Sequence, residues 1–195
     1  MRQFNKDAGG LKFINMRLKS IATSSVAFCL VVFVQVAAAA PPNHACDLPK
    51  DLQREIASKY PGRTVVTMSD LQEDDKGFFQ ADHGNSCPGL VKVDFYGDGR
   101  PTLALVLIPK GGTNLKSELV VAHEVDASWK IALLATGGPT VPVVWSLPPG
   151  KYTDVYGNKT IRATRPVIVF FEYEAWGILY AWTNNNKVTK IWIAD

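Results

Sequence analysis

The stretch LVKVDFYGDGRPTLALVLIPK, residues 90–110, decides the fold. In residues 90–96, apolar and polar side chains alternate, and this period of two is typical of a half-buried β-strand. Residues 97–99 (Gly-Asp-Gly) tolerate the positive φ angles that a tight turn needs. Residues 102–108 are apolar at nearly every position, which predicts a strand that is buried on both faces. Together they predict a β-hairpin at the centre of the fold.

Before this hairpin, residues 48–60 (LPKDLQREIASKY) form the one clear helical pattern of the chain. Apolar residues recur at every fourth position, so one side of the helix is apolar. Asp47 is a suitable N-cap, and a Pro-Gly pair ends the pattern. Residues 69–86 are polar and acidic, and we expect them to form a long loop.

After the hairpin, short apolar stretches alternate with turn residues, a pattern typical of antiparallel β-structure. We predict strands at residues 118–124, 129–134, 141–145, 166–173, 176–182 and 188–193. With the central hairpin and a short strand at residues 64–68, this makes roughly eight or nine strands. The predicted fold class is therefore α+β: a single domain, mainly one antiparallel sheet, with one N-terminal helix.

The first 40 residues have the composition of a secretory signal peptide. Arg17 and Lys19 supply a positive segment, residues 26–36 supply an apolar core, and the alanines at 37–40 supply a cleavage site. The apolar core is short for a membrane span and Gln35 interrupts it, which favours cleavage over a membrane anchor.

We therefore predict a signal peptide at residues 1–40 and a single exported α+β domain at residues 41–195. Met16 is an alternative start of translation, because the segment before it is long and polar for a signal peptide. The expected location is periplasmic or secreted, with no membrane span after cleavage.

The charge of the predicted domain argues against a nucleic-acid partner. The whole chain has 21 basic and 18 acidic residues, a net charge of +3, but residues 1–40 contain five of the basic residues and one of the acidic ones. The predicted domain therefore has 16 basic and 17 acidic residues and a net charge of −1. Because nucleic-acid binding needs clustered positive charge, we expect no nucleic-acid partner.

Two cysteines, Cys46 and Cys87, remain after removal of the signal peptide. An even pair of cysteines in an oxidising compartment predicts a disulfide bond. In the chain-entropy model, closing a loop of about 40 residues stabilises the fold by about 4 kcal/mol. The alternative is a reactive thiol at Cys87, close to His83 in the sequence.

Few residues are suited to catalysis, and the sequence lacks the common nucleotide, zinc and hydrolase motifs. Asp82 and His83 are the first candidate pair, because a histidine beside an acid can act as a base. Glu172 and Glu174 are the second, because two carboxylates on one strand face can do glycosidase-type chemistry. Both pairs also fit an ordinary solvated surface, so the sequence favours a protein that is not an enzyme.

Aromatic residues around a loop are the best candidates for a binding surface. Residues 148–150 (Pro-Pro-Gly) open a loop that carries Tyr152 and Tyr156, and Trp145 precedes it. Loop aromatics have less core to fill and often contact partners. We predict Trp145, Tyr152 and Tyr156 as binding residues, with packing against the sheet as the alternative.

Residues 94–99 (DFYGDG) resemble the calcium-binding loops of integrin-type propeller repeats, whose pattern is DxNxDG. The resemblance implies that the Asp94 and Asp98 carboxylates bind a calcium ion. Tyr96 departs from the pattern because its side chain supplies no carboxylate or amide oxygen, and the pattern does not repeat along the chain. A plain hairpin turn is the alternative that we favour, and we expect no other cofactor.

The C-terminal part loosely resembles uncharacterised secreted bacterial proteins, and the resemblance implies export but no activity. It rests on Trp176, Leu179, Tyr180, Trp182, the closing residues 190–195 (KIWIAD) and the Gly-Asp-Gly turn at 97–99. We predict an exported, non-catalytic binding protein, such as an inhibitor or partner of another envelope protein. The alternatives are a small envelope hydrolase that uses Asp82 and His83 or Glu172 and Glu174, and a calcium-dependent binding module.

Overall fold

The computed structural model describes residues 44–111, 116–138, 140–183 and 186–195. The predicted signal peptide, residues 1–40, lies outside the described residues. In the described ranges, no helix is both long enough and apolar enough to cross a membrane.

Two α-helices occur in the described residues, α1 at Lys50–Lys59 and α2 at Glu73–His83. The predicted N-terminal helix is confirmed as α1, and its apolar stripe buries Leu52 and Ile56. Helix α2 corrects the expectation of a long loop over residues 69–86.

Helix α2 begins with three acidic residues, Glu73, Asp74 and Asp75, in its first turn. Negative side chains there stabilise a helix because they interact with the partial positive charge of its N-terminus. Gly84, with a positive φ of 61°, ends the helix. Only Phe79 of α2 is buried, so α2 lacks the repeated apolar stripe that identifies α1 in the sequence.

The first sheet, sheet A, has five antiparallel strands. They are β1 Arg63–Val65, β2 Leu90–Val93, β3 Thr102–Pro109, β4 Glu118–Val125 and β5 Ser128–Thr136. The order is β1-β3-β4-β5, and β2 also pairs with β3. The predicted central hairpin is confirmed as β2–β3, in register from Leu90 opposite Leu105 to Val93 opposite Thr102. Residues 102–107 of β3 are all buried, as the apolar run predicts.

Strands β1 and β2 lie end to end along the same edge of β3. At their junction, the Val66 N–H donates to the Val106 carbonyl at 3.0 Å, and the Val106 N–H donates to the Gly89 carbonyl at 2.9 Å. The chain therefore leaves sheet A after Val66 and returns to it at Gly89, and both of these residues bond to Val106 of β3. Residues 67–88, which include α2, lie between these two points. Gly89 lies so close to Val66 that a Cβ on Gly89 would overlap the Val66 backbone.

The remaining strands form a second sheet, sheet B, and a separate hairpin. They are β6 Val143–Leu147, β7 Gly150–Thr153, β8 Thr160–Ala163, β9 Val167–Glu172, β10 Trp176–Trp182 and β11 Val188–Ala194. Sheet B has the order β11-β10-β9-β6, and β7 pairs with β8 alone. All of these pairings are antiparallel.

The described residues thus contain eleven strands in three sheets and two α-helices. The α+β class and the mainly antiparallel pairing are confirmed, but a single sheet of eight or nine strands with one helix is wrong. Hydrophobic periodicity indicates where strands lie. It carries no information about which strands pair across long stretches of sequence, so it does not separate one sheet from two.

The elements pack in four layers. Helix α1 covers one face of sheet A, where Ile56 and Leu105 belong to one buried cluster. The other face of sheet A packs against sheet B, and Val106 and Phe170 are buried between them. The far face of sheet B is covered by the β7–β8 hairpin, whose Ala163 belongs to a third buried cluster. Each sheet therefore has another element packed against part of each of its faces.

Cys46 and Cys87 form the predicted disulfide, with their Cα atoms 5.1 Å apart and 41 residues of sequence separation. The bond joins the segment before α1 to the segment after α2. Because both sulfur atoms are bonded, Cys87 has no free thiol, and the alternative of a reactive cysteine does not fit this structure.

Candidate functional site

Helix α2 places the His83 side chain in contact with two aromatic rings. Phe79, one turn earlier in α2, is buried between the sheets, and its ring centroid lies 4.8 Å from that of His83. The ring centroid of Trp145 in β6 lies 4.7 Å from that of His83. Burial lowers the pKa of His83, although the negative charge of Asp82 opposes the shift. The imidazole is therefore neutral at pH 7.

The ring contacts continue from Trp145 along the end of sheet B. The centroids of Trp145 and Phe171 are 5.3 Å apart, those of Phe171 and Tyr173 are 5.4 Å apart, and those of Tyr173 and Phe78 of α2 are 5.7 Å apart. Six rings, which we call the aromatic cluster, thus connect α2 to sheet B. Its members are Phe78, Phe79, His83, Trp145, Phe171 and Tyr173.

Four carboxylates accompany this cluster. Asp75 and Asp82 lie on α2, Glu172 ends β9, and Glu174 follows in the turn before β10. Burial raises the pKa of Asp75, and the negative charges of Glu174, Asp74 and Glu172 raise it further. Carboxylates from distant parts of the sequence therefore lie close enough to repel one another. We call the four carboxylates and the aromatic cluster together the acidic–aromatic surface.

Tyr173 connects the two halves of this surface. Burial raises its pKa to about 12, and the negative charge of Asp82 contributes to the shift. In the described part of the chain, the Tyr173 hydroxyl and Oε2 of Glu172 are buried without a hydrogen-bond partner. Phe78 is 47% exposed, and Asp82 and Glu174 are also exposed. A partner can therefore reach the carboxylates of Asp82 and Glu174 and the ring of Phe78, whereas the Tyr173 hydroxyl is covered.

The structure brings together both predicted catalytic pairs, Asp82 with His83 and Glu172 with Glu174, and the predicted binding residue Trp145. Glu174 lies beyond the end of β9, at a φ of 59°, so it does not share a strand face with Glu172 as the sequence predicts. Among the described residues, no hydrogen bond joins His83 to Asp82 or to a hydroxyl group. A stacked, neutral imidazole without such a partner suits packing better than proton transfer.

Two predicted binding residues, Tyr152 and Tyr156, lie in the β7–β8 hairpin and its turn. Tyr152 in β7 packs in the cluster under the β7–β8 hairpin, and its hydroxyl donates a hydrogen bond to the Pro148 carbonyl. Tyr156, at the tip of that hairpin, is 59% exposed, and its hydroxyl donates to the Asp195 carboxylate. Trp145 and Tyr152 thus pack against the same buried cluster, as the alternative of packing against the sheet expects, whereas Tyr156 is exposed.

The Asp94 carboxylate is used within the hairpin turn. Its two oxygens accept hydrogen bonds from the N–H groups of Gly97 at 2.8 Å and Gly99 at 3.3 Å. The ring of Tyr96, at the third position of the calcium-like pattern, packs 4.6 Å from the ring of His123. Calcium needs about six to eight oxygen ligands, and no group of three or more His, Cys, Asp or Glu side chains in the described ranges is arranged to hold a metal ion. These contacts fit a plain turn better than a calcium loop.

Asp98 of the same turn takes part in a second polar set with His123 and Thr102. Nε2 of His123 lies 3.0 Å from Oδ2 of Asp98, and its Nδ1 lies 3.2 Å from Oγ1 of Thr102. The order of acid, histidine and hydroxyl is that of a hydrolase triad. Thr102, however, is 0% exposed, so no substrate reaches its hydroxyl. The set instead fastens the turn to β4.

Five members of the acidic–aromatic surface are missing from the sequence-based candidates: Asp75, Phe78, Phe79, Phe171 and Tyr173. Asp75 and Phe78 fall within the stretch that we expected to be a loop. Three acids ahead of an aromatic pair are a signal for the start of a helix, and helical spacing groups Asp75, Phe78 and Asp82 on one side. Tyr173 has no comparable signal, because its role depends on the packing of α2 against sheet B.

No family model, curated protein or solved structure matches this chain. The likeness to exported bacterial proteins and to calcium loops therefore stays an expectation from the sequence. A function for this chain is argued from its own side chains.

Proposed function

We propose that the protein is an exported, non-catalytic binding protein whose acidic–aromatic surface recognises a basic segment of another envelope protein. The proposal rests on one observation. Helix α2 and the end of β9 present an exposed phenylalanine, Phe78, beside the carboxylates of Asp82 and Glu174. Few other large apolar side chains in the described ranges are as exposed as Phe78.

Lysine and arginine side chains fit such a surface for two reasons. Carboxylates attract the positive group and give electrostatic steering toward the partner. An aromatic face beside them adds a cation–π contact of about 0.5–1 kcal/mol at an exposed site. The rigid support of α2 by the aromatic cluster limits the ordering cost on binding.

The first experiment is capture of partners from an envelope extract with the purified, oxidised protein. We expect one stoichiometric protein partner, released by salt because exposed ion pairs are screened. Asp82→Lys and Phe78→Ser are expected to lose the partner. Each has a matched control elsewhere: Glu55→Lys reverses an exposed charge on α1, and Leu133→Ser removes a side chain that is 50% exposed on β5.

The controls are expected to keep the partner. A partner that binds Asp82→Lys and Phe78→Ser as well as it binds the unchanged protein would remove this surface from consideration. The absence of any stoichiometric partner would contradict the binding function itself.

A hydrolase is the second candidate function, and the environment of Asp75 favours it. A carboxyl group whose pKa is raised beside other carboxylates is suited to act as a general acid. Glu172 or Glu174 would then act as the base or nucleophile. Turnover of a glycoside or ester substrate that is abolished by Asp75→Asn but not by Glu55→Gln would support this candidate. Unchanged turnover in Asp75→Asn would exclude it.

A further inference from the structure

A cavity of about 640 Å³ lies beside the start of α1, on the face of sheet A that α1 covers. It is separate from the acidic–aromatic surface, which lies along α2 and sheet B. Its floor and walls come from the N-terminal end of α1 and from the turn ends of four strands. The lining residues that matter for the argument are Asp51, Lys92, Leu103, Glu124 and Trp129.

The cavity exists because α1 is shorter than the sheet beneath it. A helix of ten residues is about 15 Å long, whereas a strand of nine residues, such as β5, is about 30 Å long. The helix therefore leaves the turn ends of β2, β3, β4 and β5 uncovered. Leu90, Leu103 and Trp129, which pack beside α1 in the same apolar cluster, form an apolar floor there. The volume and the apolar floor are typical of small-molecule sites.

The rim of the cavity carries an excess of negative charge. Asp47, Asp51 and Glu124 line it together with a single lysine, Lys92. The indole Nε1–H of Trp129 donates to Oδ2 of Asp51 at 2.6 Å. This hydrogen bond lowers the pKa of Asp51, against the opposing effect of burial, and so keeps its carboxylate ionised. The same bond fixes the indole plane as a wall of the cavity.

We propose that this cavity binds a small organic ammonium ion with a flat apolar body. The apolar body lies on Leu103 and against the indole of Trp129, and the ammonium group reaches the carboxylates of Asp51 and Glu124 at the rim. The indole face favours a flat ligand body, because aromatic and apolar surfaces pack well against it. The proposal does not depend on the acidic–aromatic surface or its partner.

The test uses phenethylamine as the probe and phenylacetate, which carries a negative charge on a similar ring, as its counterpart. The readout is the ¹⁵N–¹H signal of the Trp129 indole, assigned with Trp129→Phe, in the purified protein with its disulfide formed. We expect phenethylamine to shift this signal in a saturable way, and phenylacetate to bind about tenfold more weakly, because charge complementarity selects the cation.

Two surface variants make the test specific. Glu124→Gln is expected to weaken phenethylamine binding about threefold and Lys92→Glu to strengthen it about threefold, in keeping with the modest size of exposed charge interactions. Glu55→Gln, on α1 but outside this cavity, is the control and leaves binding unchanged. The proposal is overturned by equal shifts from both probes, by no shift at millimolar phenethylamine, or by equal affinities in Glu124→Gln and Glu55→Gln.

Discussion

At the level of single residues, the environment of His83 contributes to the way in which stability changes with pH. Its stacked position lowers the pKa from the usual 6.5, mainly through burial. As pH falls below about 6.5, the unfolded chain therefore takes up a proton that the folded state resists. The contribution of the neutral His83 to the free energy of unfolding is therefore fully present above this pH and is lost on acidification.

The His83→Phe variant tests this account. Phenylalanine keeps the ring contacts with Phe79 and Trp145 but does not titrate, so the variant is expected to lose less stability between pH 7 and pH 5 than the unchanged protein. Urea denaturation at pH 7, 6 and 5 measures the difference. Equal losses in both proteins would show that other groups control the acid sensitivity.

The pKa of Asp75 reports whether the carboxylates of α2 and β9 are close in solution. Glu174→Gln removes the neighbouring charge that contributes most to the raised pKa after burial. We therefore expect the pKa of Asp75 to fall toward its usual value in this variant, as measured by NMR titration of the side-chain carboxyl carbon. Glu55→Gln serves as the control. An unchanged Asp75 pKa in Glu174→Gln would show that the acids of α2 do not lie close to those at the end of β9.

Asp94 stabilises its turn through two backbone hydrogen bonds, and this predicts a clear effect of its removal. Asp94→Ala is expected to lower the free energy of unfolding by about 1–2 kcal/mol. Millimolar calcium is expected to leave Tm unchanged, because only a ligand that binds the native state raises it. If calcium raised Tm in the unchanged protein but not in Asp94→Ala, the hypothesis of a calcium-dependent binding module would be supported.

At the level of elements, two glycines distinguish tight packing from open surface. Gly89 abuts the Val66 backbone where β1 and β2 meet, so Gly89→Ala is expected to destabilise the protein by about 1–3 kcal/mol. Gly77 lies inside α2 with no atoms near its missing side chain, so Gly77→Ala is expected to stabilise it by about 0.5–1 kcal/mol. Thermal or urea unfolding measures both. Equal effects would contradict the close approach at Gly89.

The elements also explain which features were predictable. The β2–β3 hairpin and α1 can be predicted from hydrophobic periodicity, because each pattern lies within about 20 consecutive residues. Helix α2 is not evident from local patterns, because Gly77 lowers its helix propensity and only Phe79 is buried. The division into sheets A and B depends on pairing between distant strands, and so does the meeting of His83 with Trp145. Local patterns contain no signal for such long-range contacts.

At the level of the whole molecule, the disulfide limits the freedom of the unfolded chain. Replacement of both Cys46 and Cys87 by serine opens a loop with 41 residues of sequence separation, and is expected to cost about 4 kcal/mol of stability. Urea denaturation of the variant and of the reduced protein should agree, since both lack the same link. A loss below about 1 kcal/mol would mean that the unfolded chain is already restricted there.

The attachment of residues 67–88 to the sheet has a consequence for how this molecule can change. Both ends of the segment are held by the N–H and the carbonyl of one residue, Val106. A segment of another length and composition can replace residues 67–88 between Val66 and Gly89 while the strands of sheet A keep their register. A replacement must preserve Leu71 and Phe79, because they fill the core, and Cys87, because it forms the disulfide with Cys46. The part of the proposed binding surface that α2 carries can therefore be exchanged without a change of fold.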